Sequence, residues 1–377
     1  MNPIQMVDLK NQYLNIKQEI DLAIKQIIDS GNFISGNEIV LFQNSLAQFI
    51  DSKHVVACAN GTDALQIAIM ALGLKPGDEI ITPAFTFIAT AEAIALLGLK
   101  PVFAEIDKET FNIDVSKIEQ LISQKTKAII PVHLFGQCAD MEQIMKIAIK
   151  HNLFVIEDSA QAIATKYYFS DNTSKTAGTI GNIGTTSFFP SKNLGCFGDG
   201  GALFTQDDFL KDAIKSITNH GAKIKYYHDE IGVNSRLDTI QAAVLSVKLK
   251  YLNQYIAKRK KTADFYNSSF ANHQNIIIPK TVAFTEHTYH QYTIQLVGCD
   301  RDKFREYLQK KDIPAMIYYP VPIHLQKAFS DLKYKHGDLP VTENISKTVI
   351  SLPMHTELDS SQLEYISENV LNYFINK

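Results

Sequence analysis

The sequence predicts an α/β protein: a mainly parallel sheet with helices on both faces, followed by a smaller α/β lobe. Three patterns carry that expectation. Across the first two thirds of the chain, short runs of β-branched and aromatic residues alternate with stretches of helical spacing. These runs are short and largely apolar, as strands covered on both faces are. A long helical pattern over residues 240–267 then separates this region from a last third with its own strand and helix signals.

The elements follow in order. The first helix, Ile16-x-x-x-Ile20-x-x-x-Ile24-x-x-Ile27, stops at Gly31, where glycine can take the left-handed cap conformation. Val55 to Asn60 is a short apolar strand that runs into Gly61-Thr62-Asp63-Ala64-Leu65 and a second helix. Further strands are expected at residues 78–82, 101–106, 128–133, 154–158, 186–189 and 202–205. Met141, Ile144, Ile147 and Ala148 supply helical spacing between two of them. Asp78 and Asp107 open turns. Residues 166–177, rich in Ser, Asp, Asn and Thr, form a polar loop or hairpin to which no chemistry is assigned. Ala242, Leu245, Leu249 and Leu252 share one face of the long helix, which bridges two domains, 1–250 and 251–377. Beyond it the alternation Tyr289, Gln291, Thr293, Gln295 predicts a strand, residues 301–311 a helix and 315–319 another strand.

Composition narrows the class. The chain has 377 residues, 45% hydrophobic and 20% charged, ample for a large core. A net charge of −3 presents no basic face to nucleic acid or an anionic membrane. Cys58, Cys138, Cys196 and Cys299 lie far apart without a C-x-x-C pair, against zinc and against a disulfide scaffold. The longest apolar stretch, residues 85–99, is interrupted by Thr86, Thr90 and Glu92 and is too short to span a bilayer, and residues 1–8 lack a leader pattern. A cytoplasmic enzyme is expected, with no metal, membrane or nucleic-acid partner.

Three segments answer three demands of one cofactor, pyridoxal 5′-phosphate. A phosphate dianion needs backbone N–H groups and a helix N-terminus; Gly61-Thr62 at a strand-to-helix turn offers both, with the Thr62 hydroxyl besides. A pyridine nitrogen that must stay protonated needs a carboxylate, and Asp158 closes the run Phe154-Val-Ile-Glu-Asp158. The aldehyde needs an amine that forms a Schiff base and then moves protons; Lys192 sits among glycines and small residues, 192 − 158 = 34 residues after the acid. Each segment alone has an ordinary explanation, an N-cap, a helix cap or a solvated loop lysine. Their combination, in this order, favours the cofactor.

Asn60-Gly-Thr-Asp-Ala64, Thr82-Pro-Ala-Phe-Thr-Phe87, Glu157-Asp-Ser-Ala-Gln161, Ser187-Phe-Phe-Pro-Ser-Lys192, Gly198-Asp-Gly-Gly201 and Gly232-Val-Asn-Ser-Arg236 together resemble the DegT/DnrJ/EryC1/StrS nucleotide-sugar aminotransferases, over nearly the whole chain. The resemblance implies the aspartate-aminotransferase type of fold, in which phosphate loop, acid and lysine come in this order. It is nearest to the branch that aminates C3 of UDP-2-acetamido-2-deoxy-3-keto sugars, notably the 3-keto-glucuronate. It implies Lys192 as the Schiff-base lysine, Asp158 as partner of the pyridinium nitrogen and Gln161 as a contact to the ring's phenolic oxygen. Phe87 would stack on the ring, while Gly61, Thr62 and Ser187 would hold the phosphate. Asn234 would reach that phosphate from a neighbouring subunit, so that a homodimer shares its active sites. L-Glutamate would be the amino donor and a nucleotide-linked keto sugar the acceptor.

Four polar residues are further candidates for substrate contact. Tyr318-Tyr-Pro-Val-Pro-Ile-His324 resembles the family's segment near the substrate cavity, which makes His324 one; His220 and His133 are others, and Arg236 could grip a carboxylate or diphosphate through its planar fork. Each also has a structural explanation, a satisfied loop histidine or an ion pair at an interface. Left open are C4 amination or a dTDP-linked 6-deoxy keto sugar, and a non-catalytic regulatory protein on the same fold. A sugar 3-dehydratase of the family would carry histidine at the position of Lys192.

Overall fold

The computed structural model describes residues 2–375. Seven strands form the central sheet, in the order His54–Cys58, Gly201–Thr205, Ile183–Ser187, Phe154–Asp158, Thr126–Ile129, Glu79–Pro83 and Lys100–Ala104. Gly201–Thr205 runs antiparallel to both its neighbours, and the other adjacent pairs are parallel. Side-chain alternation explains why these strands are so apolar. Val56 and Cys58 enter one core while Val55 and Ala57 enter another, and Ile156 and Val155 divide in the same way. Helices Gly61–Ala71, Ala89–Leu96 and Asp208–Thr218 cover the first face; Asn37–Ile50, Met141–His151 and Thr239–Leu249 cover the second.

A separate three-stranded antiparallel sheet, Ile276–Ile277, Tyr292–Leu296 and Val349–Leu352, packs with Arg301–Gln309 and Ser360–Ile375 around its own core. Leu252–Phe270 joins the two regions. Its Leu252 and Ile256 lie in the large core, and its Ala263, Tyr266 and Phe270 in the smaller one. The chain's beginning also packs on this second region, with Ile4 against its core and Met6 accepting from the Met354 amide at 3.4 Å.

Most expected elements are present, and the departures have local causes. Lys17–Ser30 ends on Gly31 at φ 69°, and residues 166–177 form a hairpin of Lys166–Tyr168 with Ser174–Thr176. The helical pattern over 240–267 is two helices, Thr239–Leu249 and Leu252–Phe270; at the break the Lys250 and Tyr251 amides bond the carbonyls three residues back, Val247 and Lys248, and both side chains bond Glu19. The strand expected at 186–189 instead spans Ile183–Ser187, whose last residue pairs with Gly201 before Pro190 turns the chain. Residues 315–319 are not a strand: Met316 alone bridges to Ser351, and Pro314 and Pro320 on either side remove ladder donors.

Candidate active site

Register builds the site. Cys58 and Ser187 both pair with Gly201, so the end of one strand, the end of another and the start of the antiparallel strand converge. A Cβ on Gly201 would lie 2.4 Å from the Asn60 carbonyl carbon, and only glycine permits that approach. The helix Gly61–Ala71 therefore begins against Ser187. Its cap, Asn60, accepts from the Asp63 amide at 2.8 Å, which leaves the Gly61 and Thr62 amides to the cavity in front of them.

That cavity, about 590 Å³, lies at the carboxyl edge of the parallel strands. Of the residues expected from the sequence it gathers Gly61, Thr62, Phe87, Asp158, Gln161, Ser187 and Lys192. Asp158, the last residue of its strand, is buried; it accepts from the Thr90 hydroxyl at 2.8 Å and from the Ala160 amide at 3.2 Å. Burial lowers the Lys192 ammonium to about 8, while the Asp158 charge pulls the other way. A lysine near 8 keeps a useful fraction of free amine at neutral pH, which a nucleophile and proton carrier requires. Gln161 is fixed from both ends, its carbonyl accepting from the Phe135 amide at 2.8 Å and its amide donating to the Tyr319 hydroxyl at 3.0 Å. Phe87 is 55% exposed at the cavity, its ring centroid 6.2 Å from that of Tyr319.

The other candidates do not line this cavity. Within one chain the three histidines sit apart from it, each with a partner of its own. His133 is fully buried and its Nε2 faces Glu157 Oε2 at 2.8 Å, while Glu157 also accepts from the Gly178, Ile180 and Gly181 amides. His324 is 2% exposed and its Nε2 lies 3.2 Å from Glu343. His220 is exposed and its carbonyl faces the His228 ring at 2.8 Å. Each of these groups serves its own neighbourhood. Asn234 and Arg236 are exposed, with Arg236 Nε donating to Asn234 Oδ1 at 2.9 Å.

Sequence reasoning missed several lining residues. Thr90, Asp199, His290 and Gln291 face the cavity, and Tyr318 and Tyr319 bring to it the segment that the resemblance placed there. Thr90 had a usable signal, since it follows the 82–87 motif at the start of a helix that points back to the sheet edge. His290 had none: it arrives from the second region. The buried Arg259 draws it in, donating from Nη1 to the carbonyls of Tyr289, His290 and Met354 at 3.1, 3.3 and 3.1 Å. Burial, with the Lys192 and Arg259 charges adding to it, holds the His290 imidazolium well below its usual range, so this ring is neutral.

The residues present fit pyridoxal phosphate. Amides at a helix start pressed against Ser187 suit a dianion, and a buried carboxylate and a lysine of lowered basicity suit the two ends of the pyridine ring. A cavity of this kind on this sheet defines a fold-type-I aminotransferase that uses pyridoxal phosphate. The chain belongs to the DegT/DnrJ/EryC1/StrS aminotransferase family, whose pattern matches residues 14–371. It is 45% identical over 373 residues to a pleiotropic regulatory protein of Geobacillus stearothermophilus, covering 98% of each chain. It is 44% identical over 369 residues to the UDP-2-acetamido-2-deoxy-3-oxo-D-glucuronate aminotransferase of Pseudomonas aeruginosa, covering 98% of this chain and 100% of that one. Among solved structures, DesV of S. venezuelae in complex with a ketimine intermediate superposes with a TM-score of 0.94 at 35% identity, over 99% of each chain.

Proposed function

We propose that this protein moves an amino group from L-glutamate to C3 of a UDP-linked 2-acetamido-2-deoxy-3-keto sugar of the glucuronate or glucose type. The carrying observation is the convergence of Lys192, Asp158 and the Gly61–Thr62 helix start on one cavity. The named activity of the Pseudomonas relative supports the acceptor. The regulatory name of the Geobacillus relative has no counterpart in a dismantled site here, since lysine and carboxylate are both in place.

Bound there, pyridoxal phosphate would supply an electron sink for the carbanion formed at the amino-bearing carbon. Asp158 would hold the proton on the ring nitrogen, with the Thr90 hydroxyl orienting the carboxylate. Gly61, Thr62 and Ser187 would hold the phosphate, Gln161 would contact the phenolic oxygen, and Phe87 would cover the ring. Lys192 would hold the cofactor's aldehyde end and, with its lowered basicity, would serve as the base and then the acid that carries the proton. Asn234 and Arg236, outside their own chain's cavity, serve the site of a second copy in a homodimer. The division into domains 1–250 and 251–377, a cytoplasmic location, and a role in surface polysaccharide or lipopolysaccharide synthesis complete the reading. Among the described residues no helix is long and apolar enough to cross a membrane.

The test is to incubate purified protein with glutamate and a panel of UDP- and dTDP-linked 3- and 4-keto sugars, reading product mass and amine position by NMR. A UDP-3-amino sugar is expected. Amination at C4, or of dTDP sugars alone, would replace the proposed acceptor with that one.

A further inference from the structure

We infer that Lys248 is a positioning residue for Lys192, an inference that rests on the reading of Lys192 as the reactive lysine. Lys248 lies in the helix Thr239–Leu249, does not line the cavity, and is 2% exposed. Among the described residues no carboxylate lies within ion-pair distance of it. Its Nζ donates to the Gly195 carbonyl at 2.7 Å and stands 5.0 Å from the centroid of the Phe197 ring. A buried ammonium without a counter-ion is costly, and a neutral residue of similar volume would usually be tolerated better. What the charge accomplishes is local: it fixes the backbone three residues after Lys192.

The loop has little slack to absorb its loss. The Lys192 amide donates to the Phe189 carbonyl at 2.8 Å, and the Cys196 amide to Phe188 at 2.8 Å. A Cβ on Gly195 would lie 2.3 Å from the Pro190 carbonyl oxygen, so the loop is folded tightly on itself at the residue Lys248 grips. Asn193 reaches the Thr288 carbonyl at 3.2 Å, tying the loop to the wall that carries His290. Freed from Lys248, residues 193–197 can relax toward the side vacated by the ammonium, and the Lys192 side chain moves with them.

Lys248→Met tests this, with Lys192→Ala alongside. Removal of a buried charge offsets the loss of the Gly195 carbonyl's donor, so the melting temperature of Lys248→Met should stay within a few degrees of wild type at pH 7. Against that unchanged fold, kcat should fall tenfold or more, with the KM for the amino donor within about threefold. The visible band of the Lys192–cofactor adduct should titrate at a pH moved by at least half a unit, and borohydride should trap less cofactor on the Lys192 peptide. Lys248→Met with kcat within twofold of wild type and an unmoved band overturns the positioning role. So does a variant whose melting temperature collapses, which would make Lys248 a stability residue. If Lys192→Ala itself retains the band, it is the reading of Lys192 that fails.

Discussion

Gly61→Ala tests how the phosphate end of the site is built. A Cβ at Gly61 would lie 2.7 Å from Ser187 Cβ and 3.3 Å from its Cα. Carbon atoms rest about 3.5–4.0 Å apart, so relief needs a shift on the order of 1 Å. Ser187 cannot rotate clear, because the clashing atom is its Cβ and its backbone is held in register opposite Gly201. The helix start must move instead, away from the serine hydroxyl that shares its ligand. Overpacking of this kind costs roughly 1–3 kcal/mol. Replacing glycine in a helix returns about 0.5–1 kcal/mol. The difference, about 0 to 2.5 kcal/mol, falls on the fold; the displaced amides also lose a charge-assisted phosphate contact of roughly 1.5–3 kcal/mol, a roughly 10- to 150-fold weaker hold on pyridoxal phosphate. Titration of the cofactor into apoprotein, followed by absorbance, reads the Kd, and the melting temperature of the apoprotein controls for the fold. A Kd within twofold of wild type would refute the idea that helix start and Ser187 close on the phosphate together.

Three further outcomes are expected. Because burial puts the Lys192 ammonium near 8, deprotonation as pH rises through that value creates the nucleophile; the rate at which apoprotein takes up pyridoxal phosphate should climb between about pH 7 and 9. A rate flat over that range would place the amine's titration elsewhere. Thr90→Val removes one donor from Asp158 without changing shape, and at roughly 1.5–3 kcal/mol for a bond to a charged group kcat should drop by about tenfold or more. Unchanged turnover in stopped assays would show that the carboxylate needs no such support. Mixing inactive Lys192→Ala and Asn234→Ala proteins under subunit exchange should restore about a quarter of wild-type activity, one intact site in each of the half of dimers that are mixed. No recovery, with exchange verified by native mass spectrometry, would place Asn234 outside the partner's site.

Much of this protein is written in its local sequence. The buried strand Phe154–Asp158, the Gly31 cap and the strand-to-helix turn at Asn60-Gly61 are decided by apolar runs and by residues whose backbone preferences act over a few positions. Lys192 and Asp158 were found because reactive groups of those types stand out against small and apolar neighbours. Where local signals competed with distant contacts, they failed. The 315–319 segment reads as a strand by composition, yet it is drawn to the cavity, where Tyr319 bonds Gln161 across 158 residues of sequence. His133 and His324 each face a buried glutamate, a pairing that only the folded chain shows. His290 has no motif around it at all; Arg259, from the helix between the two regions, sets it beside Lys192. Chain-local chemistry picked out Lys192 and Asp158 as candidates that the fold brings to one cavity, because capping, burial and side-chain type act on neighbours in sequence. The surroundings that tune those groups were decided by strand register and by buried cations gripping remote carbonyls, contacts that exist only once the chain has folded.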